Sequence, residues 1–165
     1  MTRLLTQAEF DATIADRRYE DYVPGGVYEY GEITLDEADI IDFARRWDPQ
    51  SFHIDPEAAK TGPFQGLIAS GWQTCAAMMR LFAEHYLSHT ASLGAPGVDE
   101  LRWLRPVRPG DRLRLRVTVL DARSSRTQDD RGLVRTLAEL RDPDDEPVFR
   151  CVVMNLIGRR TPISD

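Results

Sequence analysis

The stretch Ser70–Ser88, SGWQTCAAMMRLFAEHYLS, decides the fold of this chain. One face of a helix drawn through it carries seven apolar side chains: Trp72, Cys75, Ala76, Met79, Phe82, Ala83 and Tyr86. Three further apolar residues, Ala77, Met78 and Leu81, lie elsewhere around the same helix, and a helix that is apolar on so many sides is predicted to be buried. About 18 helical residues would span about 27 Å, which is enough to form the axis of a domain.

This helix has a clear start signal. Ser70 with Gln73 three residues later fits the capping box, in which each side chain bonds the backbone at the helix start. The first N–H groups of a helix lack partners within it, and the helix dipole favours negative charge there. Because Gly71 has no side chain, a ligand oxygen could approach its N–H closely. Capping alone, however, explains Ser70 and Gln73 fully.

Strand patterns dominate the chain after the helix. Four segments are rich in β-formers, Val98–Leu104, Arg112–Leu120, Leu133–Leu140 and Val148–Ile157, and we expect them to form a meander. The second alternates apolar residues on one side with Arg112, Arg114, Arg116 and Thr118 on the other, as in a half-buried antiparallel strand.

The chain before the helix supplies one more strand and three helical segments. Val27–Ile33 reads as a strand, and the capping box Thr34–Glu37 opens a helix that Asp48-Pro49 ends near Trp47. Asp55-Pro56 begins a short helical turn. A capping box at Thr6 predicts an amphipathic helix over Gln7–Asp16, within an N-terminal extension at residues 1–24.

These elements predict one α+β domain over residues 1–165, with an antiparallel sheet of about five strands wrapped around the long helix. The other face of such a layer needs a cover, which a second copy of the chain could supply, so we expect a homodimer or a larger homo-oligomer. No repeat or linker divides the sequence.

Composition and charge exclude several classes of protein. A chain that is 42% hydrophobic and 29% charged is unlike a disordered one, and a net charge of −6 argues against a general nucleic-acid binder. We expect no signal peptide and no membrane span, because the N-terminus turns acidic early and no apolar run is long enough. Cys75 and Cys151 are interpreted as buried thiols, although one disulfide stays open, and a cytoplasmic protein is expected.

An acid and an imidazole stand five positions apart at Asp48 and His53, between two helix ends. Both side chains could reach one cleft and hold a water between them. An imidazole has an ordinary pKa of about 6.5, suited to moving protons at neutral pH. The pair therefore suits the addition of water to a carbon–carbon double bond. A helix stop at Asp48 and a structural histidine at His53 are the alternative readings.

The pattern around this pair resembles the MaoC-like dehydratases and (R)-specific enoyl-CoA hydratases of the hotdog superfamily. Four blocks carry the resemblance: ITLDEADI at Ile33–Ile40, DPQSFHID at Asp48–Asp55, PFQGLIASG at Pro63–Gly71 and LRPVRPGD at Leu104–Asp111. The family pattern is roughly Asp-x-Asn-Pro-x-His-x-Asp, followed by a Phe-Gly segment that leads to Ile-Ala-His-Gly. Several motifs in the right order are more specific than the Asp/His spacing alone.

The resemblance implies a hotdog fold, usually dimerised, and the reversible hydration of trans-2-enoyl thioesters to (R)-3-hydroxyacyl thioesters. It implies a hydro-lyase that uses no metal or prosthetic group, acting on coenzyme A or acyl carrier protein thioesters. By match to the motif, Asp48 and His53 would form the catalytic dyad and Gly71 would supply the backbone oxyanion donor. Which member of the dyad acts as the base stays open.

The chain departs from the family pattern at four positions. Gln50 and Ser51 replace the usual Asn-Pro, Ser70 replaces the usual His, and Met79 stands where some hydratases have a serine. Two alternatives remain: a hotdog thioesterase, whose acid commonly lies on the central helix, where Glu84 is far from Gly71, and a non-catalytic acyl-CoA-binding protein.

Two further sets of residues have ordinary explanations. The arginines between Arg102 and Arg116 could meet coenzyme A phosphates, but most are expected to line the solvent face of strands. His85 and His89 have the spacing of metal ligands but lack a third ligand nearby, so no metal is expected.

Overall fold

A five-stranded antiparallel sheet curls around one long helix. The fold is given by a computed structural model, which describes residues 9–161. The strands are β1 (Val27–Thr34), β2 (Gly97–Trp103), β3 (Arg112–Ser124), β4 (Arg131–Arg141) and β5 (Pro147–Gly158). The helices are α1 (Glu37–Trp47), α2 (Ser51–Ile54), α3 (Pro56–Lys60) and α4 (Gly71–His85). This arrangement confirms the predicted α+β fold with a central helix.

The strand order is β1-β3-β4-β5-β2, so the predicted four-strand meander is wrong. Only β3, β4 and β5 follow one another; β2 pairs with β5 at the far edge. The reason lies in the segment that joins β2 to β3. Leu104 N–H donates to Val148 O and holds the start of this segment beside β5. Further along the segment, Val107 O accepts from Ala69 N–H. The proline-rich chain therefore crosses the sheet instead of turning back as a hairpin.

The alternation predicted for β3 is confirmed. Leu113, Leu115, Val117 and Val119 are buried under α4. The arginines between them point outward and pair with acids on neighbouring strands and turns: Arg112 with Glu32, Arg114 with Asp145, and Arg116 with Glu29 and Asp145. These three arginines thus belong to the outer face of the sheet, as expected.

The helix α4 buries only one of its apolar sides. The buried residues are Gln73, Thr74, Ala77, Met78, Leu81 and Phe82. Trp72 remains 61% exposed and Met79 42% exposed within this chain, so burial on all sides is a wrong prediction for the single chain. Because apolar residues occur nearly all around α4, the sequence does not reveal which side faces the sheet.

The helix α4 ends at His85, three residues earlier than predicted. The guanidinium of Arg17 donates to the carbonyls of His85 and Tyr86, at 2.6 and 3.0 Å. The Tyr22 hydroxyl donates to the same Tyr86 carbonyl and accepts from the Ser88 N–H. These distant donors occupy the last carbonyls of α4 and end the helix there.

The predicted N-terminal helix is wrong over its described part. Residues 9–16 form bends and a turn, and a 3-10 helix follows at Tyr19–Asp21. Thr6 and Gln7, where the helix was to begin, lie outside the described residues. Phe10 stacks on Tyr28 with 4.3 Å between ring centroids, and Arg17 lies 3.9 Å over Phe10. These tertiary contacts outweigh a helix propensity of a few tenths of a kcal/mol per residue.

The predicted helix starts hold with some changes. Asp36, not Thr34, caps α1 by accepting from Asp39 N–H at 2.8 Å, so α1 begins two residues later than predicted. Asp55 caps α3 with Pro56 in the first turn, as predicted. Ser70 caps α4, but its partner in the predicted capping box does not reach back: the Gln73 amide donates to Asp39 O instead.

Candidate active site

A cavity of about 410 Å³ lies where the segment after α1, the start of α4 and the end of β2 meet. Its wall combines aromatic and aliphatic side chains with polar groups. The lining includes Asp48, Gln50, Phe52, His53, Gly71 and Trp103. The cavity thus contains all three residues that the sequence singled out as catalytic candidates.

Asp48 reaches the cavity because α1 ends there. Its N–H closes the helix onto Ala44 O, and Pro49 prevents a further turn. The C-terminal end of a helix is unfavourable for a carboxylate, but two donors offset this. Ser70 Oγ donates to Asp48 Oδ2 at 2.7 Å, and Gln50 Nε2 donates to Asp48 Oδ1 at 2.8 Å.

These donors decide the charge of Asp48. Partial burial by itself would raise the pKa of the carboxyl. The hydrogen bonds from Ser70 and Gln50, together with His53, outweigh burial and bring the pKa of Asp48 below its ordinary value. Asp48 is therefore an ionised acceptor at neutral pH.

His53 is fixed in one orientation inside α2. It is buried, and its Nδ1 lies 2.7 Å from the carbonyl oxygen of Ile68. Because a carbonyl oxygen can only accept, Nδ1 must carry the hydrogen. Phe52 packs edge-on against the imidazole ring with 4.6 Å between centroids. A neutral His53 therefore presents the lone pair of Nε2.

The structure brings the two side chains together. His53 Nε2 lies 3.3 Å from Asp48 Oδ2. With Nδ1 protonated and Asp48 ionised, two acceptor atoms face each other unless the imidazole is charged. A water molecule that donates one hydrogen to each atom would satisfy both.

Gly71 begins α4 beside this pair, and the structure adds a packing reason for a glycine at this position. A Cβ built on Gly71 would lie 2.5 Å from the indole ring of Trp103. Trp103 Nε1 also donates to Gly71 O at 2.8 Å. The space that a side chain would occupy is thus filled by Trp103. As the first helical residue, Gly71 has no acceptor for its N–H within α4.

Three contacts of the site were missed by the sequence reading. Ile68 orients His53, Trp103 covers Gly71, and Ser70 bonds Asp48. The partners are separated by 15 to 32 positions in the chain. No local pattern could have paired them, although the Trp103 indole next to the LRPVRPGD block could have been marked as a candidate cavity wall.

Of the other candidate residues, Met79 and Glu84 lie away from the cavity lining and Arg105 is part of it. Met79 is on the exposed side of α4, and Glu84 pairs with Arg80 on that helix, at 3.0 Å. Arg105 lines the cavity but pairs with Asp142 at 3.0 Å.

Within residues 9–161, no group of three or more His, Cys, Asp or Glu side chains could hold a metal ion. In the same range, no helix is both long and apolar enough to cross a membrane.

The sequence of residues 21–139 matches the family model of the MaoC-like domain. The chain belongs to the MaoC-like family. A relative from Bacillus subtilis, the uncharacterised protein YdeM, is 30% identical over 142 residues, which cover 86% of this chain and 99% of YdeM. The 3-hydroxyacyl-thioester dehydratase Z of Mycobacterium tuberculosis is 34% identical over 90 residues, covering 54% of this chain and 59% of that protein.

Solved structures show the same fold. The MaoC-like dehydratase from Rhodospirillum rubrum is 34% identical to this MaoC-like chain, with a TM-score of 0.79 over 88% of this chain and 99% of that one. The (R)-hydratase PhaJ1 from Pseudomonas aeruginosa has a TM-score of 0.70 at 22% identity, covering 90% of this chain and 92% of that one. These likenesses confirm the hotdog fold that the sequence motifs implied.

Proposed function

We propose that this protein adds water to, or removes it from, an acyl thioester, converting a trans-2-enoyl thioester to an (R)-3-hydroxyacyl thioester. The observation that carries the proposal is the 3.3 Å approach of His53 Nε2 to Asp48 Oδ2 at the wall of the cavity. The names of the related dehydratases support the reaction class. Metal-free acid–base chemistry needs only such a pair and a donor for the developing charge.

The proposed mechanism starts from a water that donates one hydrogen to Asp48 Oδ2 and the other to His53 Nε2. His53 Nε2 takes one proton of the water, because its lone pair is free and the lowered pKa of Asp48 makes that carboxylate the weaker base. The water oxygen bonds to C3 of the enoyl group as the double-bond electrons move towards the thioester carbonyl. The Gly71 N–H would stabilise the resulting enolate oxygen. The proton carried by His53 then goes to C2, so the elements of one water are added.

A panel of enoyl-CoA substrates tests this reaction. We expect the absorbance of the conjugated enoyl thioester to fall on mixing with the protein, and chiral analysis to identify an (R)-3-hydroxyacyl product. Short, branched and long acyl chains should be compared, and the panel repeated with acyl carrier protein thioesters. A protein that converts none of these substrates would contradict the proposal.

The same assay separates two alternatives. A thioesterase would release free thiol from a saturated acyl-CoA, but its usual acid on the central helix has no counterpart in the cavity, since Glu84 pairs with Arg80. An acyl-CoA-binding protein would bind the enoyl-CoA without changing it.

We also propose the cytoplasm as the compartment of this protein, which the free thiols of Cys75 and Cys151 support.

We propose a homodimer in which a second copy covers the outer side of α4 and the β2 edge. β2 is an edge strand. Exposed apolar residues lie on β2, directly after it, and on α4, whose Trp72 contacts Trp103 of β2. These are Trp72, Met79, Val98, Trp103 and Leu104, each at least 42% exposed in the single chain. An open strand edge next to an apolar helix face is a surface that proteins usually cover.

Oligomeric mass in solution tests this surface. Met79→Glu combined with Val98→Glu is expected to convert a dimer to a monomer, because each change buries a charge at the proposed contact. Light scattering after gel filtration gives the mass. Val23→Glu is the matched control: Val23 is 59% exposed and precedes β1, which forms the opposite edge of the sheet. A wild-type monomer, or equal dissociation by the control, would contradict the proposed surface.

A further inference from the structure

Ser70 links the two parts of the candidate site. Its side chain is fully buried at the boundary between the loop and α4. Its Oγ donates to Asp48 Oδ2 at 2.7 Å and accepts from Trp72 N–H at 3.3 Å. One hydroxyl therefore contacts both the carboxylate of the dyad and the first turn of the helix that begins with Gly71.

The two hydrogen bonds of the Ser70 hydroxyl differ in length. A distance of 2.7 Å is typical of a strong hydrogen bond to a charged acceptor, whereas 3.3 Å is at the long end for a helix cap. The single hydroxyl hydrogen points to Asp48, because the carboxylate can only accept and the Trp72 N–H can only donate.

Asp48 needs this hydrogen bond to keep its orientation. The carboxylate stands at the C-terminal end of α1, where the helix dipole opposes its charge. Gln50 holds Oδ1 from the solvent side, and Ser70 holds Oδ2 from the buried side. Oδ2 is also the atom that faces His53 Nε2. Without Ser70, the carboxylate could rotate about its last bond and move Oδ2 away from the imidazole.

We propose that Ser70 is a positioning residue of the dyad, which holds Asp48 Oδ2 against His53 and aligns the dyad with the N-terminus of α4. This inference rests on the proposed hydratase function. It gives a role to a serine that stands where the family pattern usually has a histidine, and whose presence helix capping alone would also explain.

Three substitutions separate positioning from capping. Glycine caps a helix nearly as well as serine, whereas alanine caps it poorly. Neither glycine nor alanine has a side chain that can donate a hydrogen bond to Asp48. Ser70→Ala and Ser70→Gly are both expected to lower kcat for enoyl-CoA hydration by about 10- to 100-fold, the value of one hydrogen bond to a charged group. KM should change little. Ser70→Thr keeps the hydroxyl and is expected to restore most of the rate.

The titration of Asp48 gives a readout that a cap would not move. The Ser70 hydrogen bond lowers the pKa of Asp48, so its loss raises that pKa. NMR of the Asp48 carboxyl carbon in the resting protein follows this titration without any substrate. The titration should move to higher pH in Ser70→Ala and Ser70→Gly, and return towards the wild-type position in Ser70→Thr.

If Ser70→Gly keeps wild-type kcat and an unmoved Asp48 titration while Ser70→Ala loses stability, Ser70 is only a cap and the inference is wrong. If wild-type protein hydrates none of the substrates, the proposed function fails, and the NMR titration still decides whether Ser70 controls Asp48.

Discussion

Replacing Asp48 with asparagine is expected to lower kcat/KM for enoyl-CoA hydration by about 10²- to 10⁴-fold, the usual contribution of an acid–base group. The shape of the side chain is kept, but the negative charge that accepts from the water and from Ser70 is lost. The new amide can also donate directly to His53 Nε2 and close the place of the water. Initial rates across a substrate series give the measurement.

A matched control is available on the same helix. Asp42 is an exposed carboxylate of α1, away from the cavity lining. Asp42→Asn should leave the rate unchanged within about twofold, in line with the small effects of surface changes. His53→Ala should cost about as much as Asp48→Asn, and the double variant little more, because residues that act as a unit are not additive. An Asp48→Asn protein with near-wild-type activity would rule out the dyad.

Gly71→Ala is the second change expected to have a large effect. Alanine favours a helix by about 1 kcal/mol over glycine, so a loss of stability would be due to packing. The added Cβ would meet the Trp103 ring at 2.5 Å and push the indole away from the Gly71 carbonyl. We expect the free energy of unfolding to fall by about 1–3 kcal/mol, as for other overpacked sites. Denaturant unfolding and the hydratase assay measure the two consequences.

A double variant shows what the glycine is for. Trp103→Ala removes the ring that the new Cβ would meet. If Gly71→Ala in that background regains stability but not the activity of Trp103→Ala alone, the ligand needs the open backbone. If it regains both, the glycine serves only to fit Trp103. Gly62→Ala is the control, since its Cβ would come no closer than 3.4 Å to the surrounding atoms. An unchanged Gly71→Ala protein would contradict the packing described here.

Features with a local signal were predictable from the sequence. The alternation along β3 placed its leucines and valines correctly, because a strand repeats every second residue. The motif around Asp48 and His53 placed both at one cavity, because Pro49 and the Asp55-Pro56 pair confine the intervening segment to a short loop and one turn of helix.

Features that depend on distant contacts were not predictable. The side of α4 that faces the sheet could not be predicted, because apolar residues occur nearly all around this helix. The end of α4 depends on Arg17 and Tyr22, which come more than 60 positions earlier in the chain. The hydrogen bond from Ser70 to Asp48 joins residues 22 positions apart. Helix-capping patterns relate only residues at the same helix end, so they do not predict this contact.

The position of Trp103 connects the cavity with the proposed dimer. It is the last residue of β2, and β2 is an edge strand, so one wall of the cavity belongs to a strand that is paired on one side only. A second copy bound along that edge would hold the indole over Gly71. Specific activity would then rise with protein concentration, although Asp48 and His53 both come from one chain. The abundance of the protein in the cell would thereby set its activity per molecule.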